Sequence, residues 1–261
     1  MNNKNFLSIA TEVINLEIKS LQKLKKSINK QFCNAVIKIA RCPSKVILCG
    51  VGKSGLIASK IAATLSSVGT PSVSLAASEA SHGDLGMISK KDILIIISYS
   101  GQTNELKNII KYANRNKILL IGIVSKRDSI LYKASDIKLL LPEVEEAEGI
   151  IPTSSTTSQL ALGDALAIAT MKYKKFGKLD FKKFHPGGSL SVKLRTVEDL
   201  MYVGRRIPFI NENVNMRNAI KTITRKSLGA LIVTDNRNIT KGILTDGDLK
   251  RLSGDKIDFK N

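Results

Sequence analysis

The chain has no tryptophan, and phenylalanine and tyrosine bring its aromatics to only 5 % of 261 residues. Proteins that grip single-stranded nucleic acid by base stacking draw on such rings, so that class is not expected. Histidines number two and cysteines three (Cys33, Cys42, Cys49), with no Cys-x-x-Cys pair. A set this small and odd argues against a disulfide frame or a zinc site and predicts reduced thiols. No stretch reaches the roughly 18 unbroken apolar residues of a membrane-crossing helix, and no short basic region followed by an apolar block opens the chain. The expectation is a cytoplasmic protein with no membrane partner. Acids are scarce too: 22 Asp and Glu stand against 41 Lys and Arg, a formal charge of +19. The lysines are spread over 19–30, 107–117, 172–183 and 221–226, with no RNA-binding signature beside them. The charge therefore reads as solvated faces that attract anionic small molecules weakly, not as a nucleic-acid interface.

The chain does have an apolar run that ends in glycines: Val46-Ile-Leu-Cys-Gly-Val-Gly-Lys-Ser-Gly55. A strand that delivers its carboxyl end to a helix N-terminus offers free N–H groups to a phosphate. Ile93-Leu-Ile-Ile-Ile-Ser-Tyr-Ser-Gly101 repeats the idea with two hydroxyls, and Pro152-Thr-Ser-Ser-Thr-Thr157 places five hydroxyls before a further helix. Loops this rich in hydroxyls and backbone donors suit a phosphorylated polar ligand better than a nucleobase or a lipid.

Apolar positions at helical spacing over 6–40 predict one long opening helix, or two, with a core or subunit-contact face. Five apolar runs follow at 46–49, 72–75, 93–98, 119–124 and 137–141, separated by helical stretches at 55–68, 104–114 and 129–134, and 160–173 closes the domain. Strands alternating with helices predict an α/β fold with a five-stranded parallel sheet flanked by helices, flavodoxin-like. The strands are apolar throughout rather than alternating, as expected when both faces are covered. Residues 176–195 carry Gly, Pro, Lys and His and read as a loop. From 197 onward a small α+β region is expected, with strands at 208–210, 230–234 and 242–244, a helix at 216–225, and a last helix capped by Thr245 or Asp246.

Gly50-Val-Gly-Lys-Ser-Gly55, Glu79-Ala-Ser-His-Gly-Asp-Leu-Gly86, Ser98-Tyr-Ser-Gly-Gln-Thr-Asn-Glu105, Pro152-Thr-Ser-Ser-Thr-Thr157 and His185-Pro-Gly-Gly188 occur in this order. Together they resemble the sugar isomerase (SIS) domain proteins. More closely, the chain is similar to the D-arabinose 5-phosphate isomerases of the Kdo pathway, the KdsD/KpsF group. The tail, Arg225-Lys-Ser-Leu-Gly-Ala followed by Gly242-Ile-Leu-Thr-Asp-Gly-Asp-Leu249, resembles the first of the two CBS motifs that follow the SIS domain in that family. The resemblance implies a helical segment at 1–40, a SIS sugar-phosphate-binding domain at 41–176, a linker with a catalytic loop at 177–196, and a single, incomplete CBS motif at 197–261.

The activity it implies is aldose–ketose isomerisation of D-ribulose 5-phosphate and D-arabinose 5-phosphate through an enediol. That chemistry needs a base beside a carbonyl, an acid to shuttle hydroxyl protons, and a donor to hold the enediolate, and in principle no cofactor or metal. The resemblance assigns catalysis to Lys53, Glu105, Glu146 and His185. Glu145 and Glu148 remain rivals of Glu146 within Glu143-Val-Glu-Glu-Ala-Glu148. Substrate contacts are expected from Ser54, His82, Ser98, Ser100, Thr103, Ser154, Ser155 and Thr156, and by resemblance also from Gly69 and Thr70. The partners implied are a phosphorylated pentose and further copies of the chain, a tetramer in the family, with the His185 loop reaching a neighbouring subunit. A binder of the same fold without turnover, or an isomerase of another phosphosugar, is the alternative reading.

Overall fold

A computed structural model describes residues 3–80, 82–184 and 196–254. The chain divides into two compact units, Met1–Leu194 and Arg195–Asn261.

In the first unit, α1 (Asn3–Ser27) and α2 (Lys30–Ala40) form the opening segment. They are separate helices because Asn29 turns extended and its side chain accepts from the Gln31 N–H, restarting the helix. Then come β1 (Val46–Gly50), α3 (Lys53–Ser67), β2 (Ser72–Ala76), the short α4 (Ala77–Ala80), β3 (Ile93–Ile97), α5 (Lys107–Arg115), β4 (Leu119–Val124), α6 (Ile130–Ala134), β5 (Ile137–Leu140), α7 (Ser154–Tyr173) and α8 (Lys178–Phe184). The five strands are all parallel, in the order β2-β1-β3-β4-β5. This is the flavodoxin-like order, and its direction reverses between β1 and β3.

The strands alternate between two cores. Val46 and Leu48 of β1, with Ile93, Ile95 and Ile97 of β3, meet Ile61 and Leu65 of α3 and Leu162 and Leu166 of α7. Ile47 and Cys49, with Leu94 and Ile96, meet Ile109 and Ile110 of α5 and Leu131 of α6. Each fully buried side chain of this size contributes about 1.5–3 kcal/mol, which is why neither face of the central strands carries a polar residue. Cys49 belongs to this interior, and burial pushes its thiol up to about 12, against a smaller lowering by the Gly50 backbone. It is chemically quiet there, and all three cysteines are free thiols.

The return from β1 into α3 is tight. A Cβ on Gly50 would stand 2.7 Å from the backbone carbon and oxygen of Ser54. Gly50→Ala must therefore push the loop off the sheet, and is expected to cost about 1–3 kcal/mol, seen as a lower urea midpoint.

An expectation that fails in this unit concerns residues 178–184: read as part of a loop, they form α8. Gly and Pro flank this segment, but Lys178-Leu-Asp-Phe-Lys-Lys-Phe184 itself contains neither, and Asp180 caps its start by accepting from the Gly177 N–H at 3.0 Å. The ring of Phe184 also lies 5.7 Å from that of Phe176.

In the second unit, α9 (Val197–Leu200) precedes β6 (Phe209–Asn211), α10 (Met216–Lys226), β7 (Ala230–Thr234), β8 (Thr240–Thr245) and α11 (Asp246–Gly254). β6 runs parallel and β8 antiparallel to β7. Thr245 and Asp248 exchange backbone and side-chain hydrogen bonds at the start of α11, as a cap. Ala219, Ile223 and Leu231 are the buried centre, with Ile210, Leu244 and Leu249 packed around them.

Candidate active site

The carboxyl ends of β1 and β3 open at the switch point, and α7 points its N-terminus at the same place. A cavity of about 440 Å³ results, lined by Lys53 and Ser54 from α3, Ser98, Tyr99, Ser100 and Thr103 after β3, and Glu146, Ser155, Thr156 and Gln159 around the start of α7. Seven of the expected substrate and catalytic side chains outside the Glu146 loop thus share one wall system with Glu146.

α3 begins at Lys53 with Gly52 (φ +57°) as its cap residue and no side-chain cap, so its first N–H groups are unclaimed by side chains. Gly52 faces open space. The loop after β3 is held by its own hydroxyls. Ser98 Oγ lies 2.9 Å from Thr103 Oγ1 and accepts from the Gly101 N–H at 3.1 Å, and Ser100 Oγ accepts from the Gln102 N–H at 3.3 Å. Gly101 (φ +66°) is packed so closely on Ser129 and Val124 that a side chain there would collide with both.

Glu146 is fixed by α7. Its Oε2 accepts from the Thr153 N–H at 2.8 Å and the Ser155 N–H at 3.3 Å, and the Thr153 hydroxyl donates to it at 3.4 Å. Thr153, the cap residue, makes no cap bond of its own; the carboxylate supplies it from outside, at the positive end of the helix. This also explains why α7 starts at Ser154 instead of 160: the hydroxyl run forms its first turn, capped by a distant acid. Tyr99 steadies the segment that carries Glu146, since its hydroxyl donates to the Pro142 carbonyl at 3.3 Å and accepts from the Val144 N–H at 2.9 Å. Of the three acids weighed for this position, Glu146 alone lines the cavity. Glu148 is exposed in the left-handed region (φ +50°), and Glu145 faces a groove along α1.

Other expected residues lie elsewhere. Glu105 is exposed and lines a neighbouring hollow of about 450 Å³ with Leu56, Ser59, Ser74 and Ser78; the two hollows share Val51. His82 is exposed beyond α4 and lines neither hollow. Ser154 is wholly buried under the start of α7. Gly69 and Thr70 precede β2, at the opposite end of the sheet, where Lys174 Nζ donates to the Gly69 carbonyl. His185 falls outside the described residues. Among those described, no three His, Cys, Asp or Glu side chains gather as metal ligands, and no helix is long and apolar enough to cross a membrane.

Tyr99 and Gln159 were not anticipated from the sequence. Gln159 had a signal, since it follows Ser155 by four and so leaves α7 on the same face. Tyr99 had none, because its neighbours Ser98 and Ser100 already accounted for the loop.

Residues 38–169 match the SIS domain family and residues 197–255 the CBS domain family. The arabinose 5-phosphate isomerase KdsD of Yersinia pestis is 44 % identical over 260 residues, which is 98 % of this chain and 79 % of that one. The enzyme of the same name from Escherichia coli K12 is 40 % identical over 259 residues, with the same coverage. A protein of E. coli CFT073, solved in complex with arabinose 5-phosphate, superposes with a TM-score of 0.69 at 37 % identity, over 71 % of this chain and all of that one.

Proposed function

Because the chain belongs to the SIS-domain isomerases, in the group of the KdsD arabinose 5-phosphate isomerases, we propose that it interconverts D-ribulose 5-phosphate and D-arabinose 5-phosphate, the first step toward Kdo. One observation carries the reading: a carboxylate (Glu146), an ammonium (Lys53) and the hydroxyls of Ser98, Ser100, Thr103, Ser155 and Thr156 line a single cavity at the sheet's switch point. The N–H groups at the start of α3 and the hydroxyls around them receive the phosphate. A carboxylate takes the proton from C1 of the ketose and returns it to C2, while Lys53 holds the negative oxygen of the enediolate between the two steps. No atoms are gained or lost: one proton moves from C1 to C2 and a second from the O1 hydroxyl to O2.

Glu146 is the carboxylate we assign to that transfer, with Glu105 as the second acid at the edge of the adjoining hollow. His185, outside the described residues, is assigned by the family resemblance to opening the cyclic sugar and relaying hydroxyl protons, and the assembly proposed is a homotetramer. Ser54 and His82 are assigned to substrate contacts; Ser154, wholly buried, and Gly69 and Thr70, at the other end of the sheet, do not line this cavity. The setting proposed is the cytoplasm.

The test is turnover in D₂O. Purified protein given ribulose 5-phosphate should form arabinose 5-phosphate carrying solvent deuterium at C2. A protein that binds the sugar phosphate yet neither forms the aldose nor exchanges label would be a binder only, and a faster reaction with a hexulose or heptose phosphate would redirect the assignment.

A further inference from the structure

Gln159 occupies the second turn of α7, four residues after Ser155, and both line the cavity that holds Lys53 and Glu146. It is 1 % exposed, and its Oε1 has no hydrogen-bond partner. Buried acceptors are nearly always paired, so a bare one in the wall of a polar cavity calls for a donor from a ligand. Two neighbouring acceptors, by contrast, are already engaged: Glu146 Oε2 receives two N–H groups and a hydroxyl, and Ser98 Oγ receives the Gly101 N–H. A carbonyl oxygen repels phosphate oxygens and accepts from hydroxyls. We propose that Gln159 is a specificity-determining residue whose side-chain carbonyl accepts a hydrogen bond from a hydroxyl of the sugar chain, not from the phosphate. The proposal rests on the sugar-phosphate reading above and names the group that tells a polyol from a bare anion.

Two probes separate the contacts. D-arabinitol 5-phosphate, which has the hydroxyls but no carbonyl to isomerise, and inorganic phosphate are each titrated calorimetrically into the full-length protein and into Gln159→Met. Methionine keeps the volume and removes the acceptor. The arabinitol ester should bind about 10–100-fold more weakly to the variant, inorganic phosphate within twofold of wild type. The thermal midpoint without ligand should hold or rise, because an unpaired buried polar atom has been replaced by an apolar one. An arabinitol affinity within twofold of wild type, or a parallel loss for both probes, overturns the proposal. Gln159→Ala is measured alongside, so that a folding defect in one variant leaves the other to decide. Wild-type turnover of arabinose 5-phosphate, measured separately, reports on the isomerase reading alone.

Discussion

Glu146→Gln lowers kcat for the isomerisation by about a thousandfold, within the range that a positioned proton-transfer group contributes, and leaves the protein folded. The two halves of this expectation come from one side chain. Oε2 of Glu146 caps α7 by accepting from the N–H groups of Thr153 and Ser155. A glutamine carbonyl can accept the same two bonds, so the cap survives, with a loss of about 0.3–1 kcal/mol from removing the negative charge at the helix N-terminus. An amide cannot take a proton from carbon. Glu146→Ala removes the cap as well and should cost about 1 kcal/mol more in stability without a further fall in rate. Initial rates of arabinose 5-phosphate formation, read beside thermal unfolding, check both. A drop in kcat of less than about tenfold would leave Glu146 as a helix cap and move the proton transfer to Glu105. Glu105→Gln in the same assay then tells whether the adjoining hollow is part of the reaction path.

The proposed double role of Glu146 marks where sequence reasoning stops. The sheet was legible because its strands are short Ile/Leu/Val runs whose two faces are both covered, and few other folds produce that pattern. The loops at Gly50–Ser54 and Ser98–Thr103 were legible because glycine and hydroxyl residues at the ends of such strands have a geometric purpose. Glu146 could be placed only by likeness, since nothing local separates it from Glu145 and Glu148; the hydrogen bonds that single it out come from Thr153 and Ser155, across a turn containing Gly149 (φ +70°). The start of α7 was misjudged for the same reason, because its cap is seven residues away from the cap position. α8 escaped notice because the glycines and proline around it dominate the composition of 176–195. Gln159 escaped because a glutamine on a helix is ordinary until its burial and unpaired carbonyl are seen.

Lys53 makes the opposite kind of prediction, in which activity and stability move apart. It is the first residue of α3, where the unpaired N–H groups of the helix already present positive potential. No carboxylate among the described residues forms an ion pair with it, and its side chain lines the cavity. A cation there is unfavourable for the free protein and favourable once an anion arrives. Lys53→Met should therefore leave the thermal midpoint unchanged or slightly raised while kcat/KM falls by about a hundredfold to a thousandfold, the loss expected for removing one donor to a developing oxyanion. The split between parameters then locates the charge it serves. A fall confined to kcat points to the enediolate oxygen, whose charge exists only during the reaction. A rise confined to KM points to the phosphate, which is charged throughout. If the variant instead unfolds at lower temperature with its rate unchanged, Lys53 is a structural residue and the cation of the site must be sought elsewhere.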